Sequence, residues 1–250
     1  MQASSFVGSL RAPFTFCLSG LVLALPSRAL ACGASGSDGV AFCSIAEHRA
    51  DSRPHWSFGY SGLFTSTRLR FSGGVAGDET RNVLMATIAY SPSPRVTLHA
   101  SAGASLFGTL DMPDGAYRFS SGPAALIGCS WRLLEGPEFI LLTSGLSFSA
   151  SRTESATVPS ADYQAFDLRL GAEVGTTLFD LLRPYVPLRV FGGPVFWRYR
   201  GEGVTGTDTH HYQVGLGLAL RVQRRINLFA EAIPFGERAV SLGLSTTFMP

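Results

Sequence analysis

Residues Tyr212–Val222 read YQVGLGLALRV, so that Tyr212, Val214, Leu216, Leu218, Leu220 and Val222 alternate with Gln213, Gly215, Gly217, Ala219 and Arg221. Side chains two apart share one face of a β-strand, which makes one face of this stretch apolar and the other small or polar. The pattern recurs. Val240, Leu242, Leu244, Thr246 and Phe248 alternate with Ser241, Gly243, Ser245 and Thr247. Phe166, Leu168, Leu170, Ala172 and Val174 alternate with Asp167, Arg169, Gly171, Glu173 and Gly175. Ten such segments lie near 56–70, 82–91, 95–107, 116–133, 138–151, 163–178, 186–200, 210–222, 226–234 and 239–248. Most run 9 to 16 residues, against about five or six for a soluble strand and about 9 to 11 for a strand that crosses a membrane.

The connections differ in kind. Ser91–Pro94, Glu135–Pro137, Phe179–Pro184 and Gln223–Arg225 are short, whereas Gly73–Arg81, Gly108–Gly115, Arg152–Asp162 and Gly201–Thr209 are longer and rich in Gly, Thr, Ser and Asp. Short turns at one end and longer polar loops at the other mark outer-membrane barrels. A fifth loop, Phe235–Arg238, breaks the pattern by being short.

Which face points outward decides between a soluble and a membrane barrel. A soluble barrel turns its apolar face inward and solvates the other with charged side chains. Here the second face is mostly Gly, Ala, Ser and Thr, as in Thr143, Gly145, Ser147 and Ser149, which suits a crowded interior. Trp56, Tyr90, Trp131, Trp197, Tyr199, Tyr212 and Phe248 fall near strand ends, where interfacial aromatic girdles are expected. Closure follows, because an open sheet in lipid would leave edge N–H and C=O groups unpaired. The expected fold is all-β: a closed antiparallel up-and-down transmembrane β-barrel of about ten strands over 56–250. Eight strands is the alternative.

Composition agrees. Of 250 residues, 15% are charged, against about 25% in an ordinary soluble domain. The 20 basic residues are all arginine and face 18 acids, a balance that excludes a nucleic-acid partner recognised by bulk charge. Hydrophobic residues at 46% exclude a disordered chain. Residues 1–31 read as a secretory signal: Arg11, the apolar run Pro13–Leu25, then Ala29-Leu30-Ala31. Residues 32–55 then form an exported N-terminal segment in the periplasm. Cys32 is either lipidated, since Ala29–Cys32 resembles a lipobox, or disulfide-bonded to Cys43 in an oxidising compartment. Cys17 leaves with the signal, and Cys129 reads as an inert strand cysteine. Beyond the signal no run of about 18 apolar residues suggests a spanning helix.

As a pattern over 56–250, the chain resembles the superfamily of small bacterial outer-membrane β-barrels. That resemblance implies location in the outer membrane of a Gram-negative bacterium. Its partners would be outer-membrane lipid and the barrel-assembly machinery, which reads a C-terminal strand ending in an aromatic residue. Val240, Leu242, Leu244 and Phe248 match such a strand; Met249 and Pro250, which follow the phenylalanine, depart from it.

The charges expected inside the lumen are Arg132, Arg169, Glu173, Arg189, Arg221 and Glu231, with His99. They form either a structural ion-pair network or a polar path for a small solute of unknown identity. His99 and Ser101 share a strand face and are similar to the His-x-Ser pair of the outer-membrane lipid A deacylases, which also use a glutamate. His210 and His211 project to opposite faces, and His48 and His55 lack zinc-site spacing. No metal or cofactor is therefore expected. Gly73-Gly74 and Gly192-Gly193 precede no helix, so no phosphate cradle forms there. The expected role is a structural or surface-interaction barrel without enzyme activity, followed by a narrow channel and then a lipid-modifying enzyme. On these faces Leu218→Arg is costly and Gly217→Ser is mild.

Overall fold

The computed structural model describes residues 33–35, 40–42, 54–134, 137–155, 160–223 and 225–248. The signal segment 1–31 and the pair Cys32 and Cys43 lie outside the described residues. Of the N-terminal segment, Gly33–Ser35 pairs antiparallel with Val40–Phe42.

From His55 onward the chain is an antiparallel meander. Its strands are β1 (His55–Phe71), β2 (Ala76–Ser91), β3 (Val96–Met112) and β4, which runs as Gly115–Phe119 and Gly122–Arg132. Next come β5 (Glu138–Glu154), β6 (Ala161–Thr176) and β7, in two stretches, Leu182–Gly192 and Val195–Tyr199. The last are β8 (Glu202–Asp208 and Tyr212–Gln223), β9 (Ile226–Gly236) and β10 (Arg238–Phe248). Each strand pairs with its neighbour, and β10 pairs with β1 from Phe248↔Trp56 to Arg238↔Ser66. The ring of ten strands closes with no free edge along this span.

Above Ser66 the ring changes. The β9–β10 hairpin turns at Gly236 and Glu237, and over its tip the upper part of β8 pairs directly with β1, Asp208↔Leu69 to Gly206↔Phe71. Ten strands therefore become eight. The bend that allows this is a bulge in β8. Between Val190↔Tyr212 and Val195↔Gly206, β7 advances five residues while β8 advances six, and the extra residue tilts β8 away from β9. Gly236 permits the tight hairpin beneath: its φ is +83°, and a β-carbon there would lie 1.8 Å from the Tyr212 carbonyl oxygen. The short fifth loop is the condition for the eight-stranded top.

The expected long polar loops are largely strand. Ala76 onward, Gly108–Met112, Arg152–Glu154 and Glu202–Asp208 all belong to ladders, and Arg200 and Gly201, both at positive φ, make the two-residue turn between β7 and β8. Their Gly, Thr and Asp content reflects a solvent-facing outer surface rather than irregular backbone.

Outward side chains divide the wall into two zones. From the terminal end up to Phe64, Phe107, Phe166, Phe196 and Phe235 the exposed face is apolar: Leu216 is 68% exposed, Ile127 61% and Leu242 60%. Above it the exposed face carries Arg68, Arg70, Asp78, Asp111, Arg118, Arg152, Asp162 and Arg198. On β1 the apolar zone runs from Trp56 to Phe64, about 26 Å along the strand at about 3.3 Å per residue. With a tilt near 40° that is roughly 20 Å of height, close to the band of an outer-membrane barrel. The described residues contain no helix long and apolar enough to cross a membrane, so the strands do the crossing. This is the fold of a transmembrane β-barrel, whose place is the outer membrane.

Two expectations need correction. Trp197 is 2% exposed and points into the barrel, and Tyr199 packs beside it at 5.2 Å between ring centroids; neither belongs to an interfacial girdle. Both lie above the apolar zone, where the inward face is the dry one. Trp56, Trp131, Tyr212 and Phe248 do face outward, and Tyr90 stacks on Trp56 at 4.7 Å. Nor is Gly217→Ser mild. A β-carbon on Gly217 would lie 2.0 Å from Cζ of Tyr185, so the serine must displace that ring, at about 1–3 kcal/mol.

Candidate functional site

The lumen is the only region where the fold concentrates reactive groups among the described residues. Alternation dictates which side chains reach it, and strand pairing dictates the height at which they meet.

In the middle layer, Arg189 on β7 donates from Nη1 to Glu231 Oε1 at 2.7 Å and from Nη2 to Glu231 Oε2 at 2.8 Å. Nη2 also reaches Glu173 Oε1 on β6 at 3.0 Å. The Tyr185 hydroxyl donates to Glu231 Oε2 at 3.2 Å. Such two-pronged pairing fits the planar guanidinium and offsets the heavy desolvation of buried charge.

A second layer lies under the hairpin tip. Arg169 contacts Asp167 at 2.6 Å and Glu237 at 3.3 Å, and its guanidinium stacks 4.3 Å from the Phe191 ring centroid. Gln213 donates to Glu237 at 2.8 Å. Across the lumen, Arg81 pairs with Glu79 and donates to Ser149 Oγ at 2.7 Å, while Tyr163 donates to Glu79 Oε2 at 2.9 Å. A void of about 40 Å³ lies among Thr67, Glu79, Arg81, Asp208 and Glu237, room for a few waters.

Above these layers the interior turns apolar. Leu69, Phe71, Leu110, Met112, Tyr117, Phe119, Tyr163, Val195 and Trp197 form one buried cluster. Trp197 sits at its centre, 5.4 Å from Phe71 and 4.9 Å from Tyr117 between centroids, with its indole N–H donated to Thr153 Oγ1 at 2.9 Å. At the rim, Arg200 Nε donates to Asp114 Oδ2 at 3.0 Å and the Tyr117 hydroxyl donates to the same oxygen at 3.1 Å, tying the β3–β4 turn to the β7–β8 turn. Slight burial pushes the Asp114 carboxyl up, but hydrogen bonds from Tyr199, Arg200 and Tyr117 together outweigh it and hold the group below its ordinary 3.8.

Of the residues singled out in the sequence, Arg169, Glu173, Arg189 and Glu231 are buried on the lumen face, and Arg132 and Arg221 are half-buried at the terminal end. Arg169 joins Asp167 and Glu237, not Glu173. His99 and Ser101 are each 5% exposed and face the lumen, away from the apolar skin. Ser101 Oγ lies 2.8 Å from Thr87 Oγ1, and the His99 ring lies over Gly128, where a β-carbon would come within 2.4 Å of Nε2. Sequence reasoning missed Glu79, Arg81, Arg183, Gln213 and Glu237. Gln213 falls on the small, polar face of the alternation at 212–222, while Glu79, Arg81, Arg183 and Glu237 fall in stretches read as loop or turn. Cys129 is an exposed free thiol, and no group of three or more His, Cys, Asp and Glu suited to a metal occurs among the described residues.

No protein-family model and no curated protein sequence matches the chain. Among solved structures, it is similar to the outer-membrane protease OmpT from Escherichia coli, at 11% identity and a TM-score of 0.47, covering 79% of this chain and 95% of that one. It is similar to the translocator domain of autotransporter NalP from Neisseria meningitidis at 13% identity and 0.48, covering 82% and 91%. For the outer-membrane protein OprG from Pseudomonas aeruginosa the values are 9%, 0.47, 81% and 99%. Each is a likeness of overall shape, and none assigns a role to a residue here.

Proposed function

We propose that this protein is a non-enzymatic outer-membrane barrel, a rigid post that holds its eight-stranded collar above the membrane for contact with other molecules. The observation that carries this reading is the filled lumen. Ion-pair layers centred on Arg189 and on Arg169 cross it, and the aromatic cluster around Trp197 closes the end away from the termini. Side chains packed to this degree support a scaffold better than a conduit. Its partners on this reading are membrane lipid around the apolar skin and, during assembly, the barrel-assembly machinery acting on β10. Neither nucleic acid nor a cofactor enters. The lumen placement of His99 and Ser101 argues against a lipid-hydrolysing pair, since a membrane lipid would have to reach them through the wall.

The test is conductance. Purified barrel in planar bilayers is expected to pass no ionic current, and stepwise single-channel currents would overturn the scaffold in favour of a narrow channel. Lipid A from cells with and without the protein is expected to give the same mass spectrum.

A further inference from the structure

At the terminal end of the lumen three arginines, Arg132, Arg183 and Arg221, come together. Arg183, near the start of β7, is 5% exposed, and its Nη2 is buried without a hydrogen-bond partner. Ala219 is its register partner on β8, and Arg221 lies two residues on, on the same lumen face. The charges of both Arg221 and Arg132 reach Arg183. The carboxylates one layer higher are turned elsewhere, Glu231 and Glu173 both to Arg189. Among the described residues, the acid whose charge reaches Arg183 is Asp180, which sits exposed in the β6–β7 turn. The lumen-facing neighbours at this level, Asn227 and Phe139, are neutral.

An arginine cannot shed its proton, and a buried guanidinium with no acceptor is among the most expensive arrangements a protein can keep. A guanidinium fork is matched by two oxygens of a phosphate or carboxylate. We propose that Arg183, flanked by Arg132 and Arg221, forms a site at the terminal mouth of the lumen for a small oxyanion of the phosphate type. The aromatic cluster around Trp197 fills the other end of the lumen, so the site faces the terminal side. Its occupation does not depend on whether the barrel conducts.

The probe is inorganic phosphate, followed by equilibrium dialysis with the folded full-length protein in detergent micelles and chloride buffer. The wild type is expected to take up one equivalent saturably. Arg183→Gln is expected to weaken binding at least tenfold, with the heat-modifiable gel shift of the folded barrel retained. If Arg183→Gln does not fold, Arg221→Gln serves, with a several-fold loss expected. Absence of saturable uptake by the wild type, or equal uptake by wild type and folded variant, overturns the site.

Discussion

The lower barrel and the collar are built from the same strands with opposite polarity. Along β1 the inward residues below are Ser57, Gly59, Ser61, Leu63 and Thr65, mostly small or polar, and the outward ones include Phe58, Tyr60 and Phe64; above, the inward residues are Leu69 and Phe71 and the outward ones Arg68 and Arg70. No side chain changes face. What changes is the solvent outside: lipid against the lower wall, water against the upper. A wall in lipid keeps its polar groups inside, where they must satisfy one another, whereas a wall in water buries its apolar groups to gain the hydrophobic effect. One molecule thus carries a membrane protein's packing rule and a soluble protein's, meeting at the tip of the β9–β10 hairpin.

If that contrast is right, the two interiors fail differently when cut. Glu231→Leu removes both guanidinium contacts of Arg189 to Glu231 in the lower barrel and is expected to cost about 3–5 kcal/mol. It should lower the urea midpoint at which the heat-modifiable band is lost, and an unchanged midpoint would mean the ion layer is not structural. The outward face gives the next largest contrast. Leu218→Arg, in the apolar zone, is expected to cost about 2–4 kcal/mol, while Arg198→Leu on the outward face of the collar stays within about 0.5 kcal/mol. Equal costs in a folding titration would place both positions in the same solvent.

Much of this was open to reading in the sequence, and the part that was not has a physical cause. The ten segments are legible because lipid demands long, unbroken alternation, and the lumen charges Arg169, Glu173, Arg189 and Glu231 follow from parity alone. The collar is hidden. There the alternation inverts its phase, so Arg68 and Arg70 look like the start of a loop and Trp197 looks like a girdle residue. Gly, Thr and Asp in 201–209 carry turn propensity that pairing with β7 and β1 overrides. Glu79 and Arg81 escaped notice for the same reason, although they lie on the lumen parity of β2. Glu237 occupies a turn, where alternation has no meaning, and its burial depends on β8 folding over the hairpin.

The smallest expected effect sharpens the collar side. Because the Asp114 carboxyl is held below its ordinary range in the folded state, its contribution is present above the unfolded value of 3.8 and is lost as pH falls through the lower folded value. At this exposed turn the contribution is less than about 1 kcal/mol. Acid titration of the wild type against Asp114→Asn should show loosening of the rim, read as protease cleavage in the β3–β4 turn, only for the wild type and only below about pH 4.

The three tryptophans offer the most direct measurement of the inversion itself. In vesicles containing brominated lipid, single-tryptophan variants retaining Trp56 or Trp131 are predicted to be strongly quenched. The variant retaining Trp197 should be insensitive both to brominated lipid and to iodide in the water. Quenching of Trp197 by lipid to the same degree as the other two would contradict a wall whose polarity turns over above the membrane.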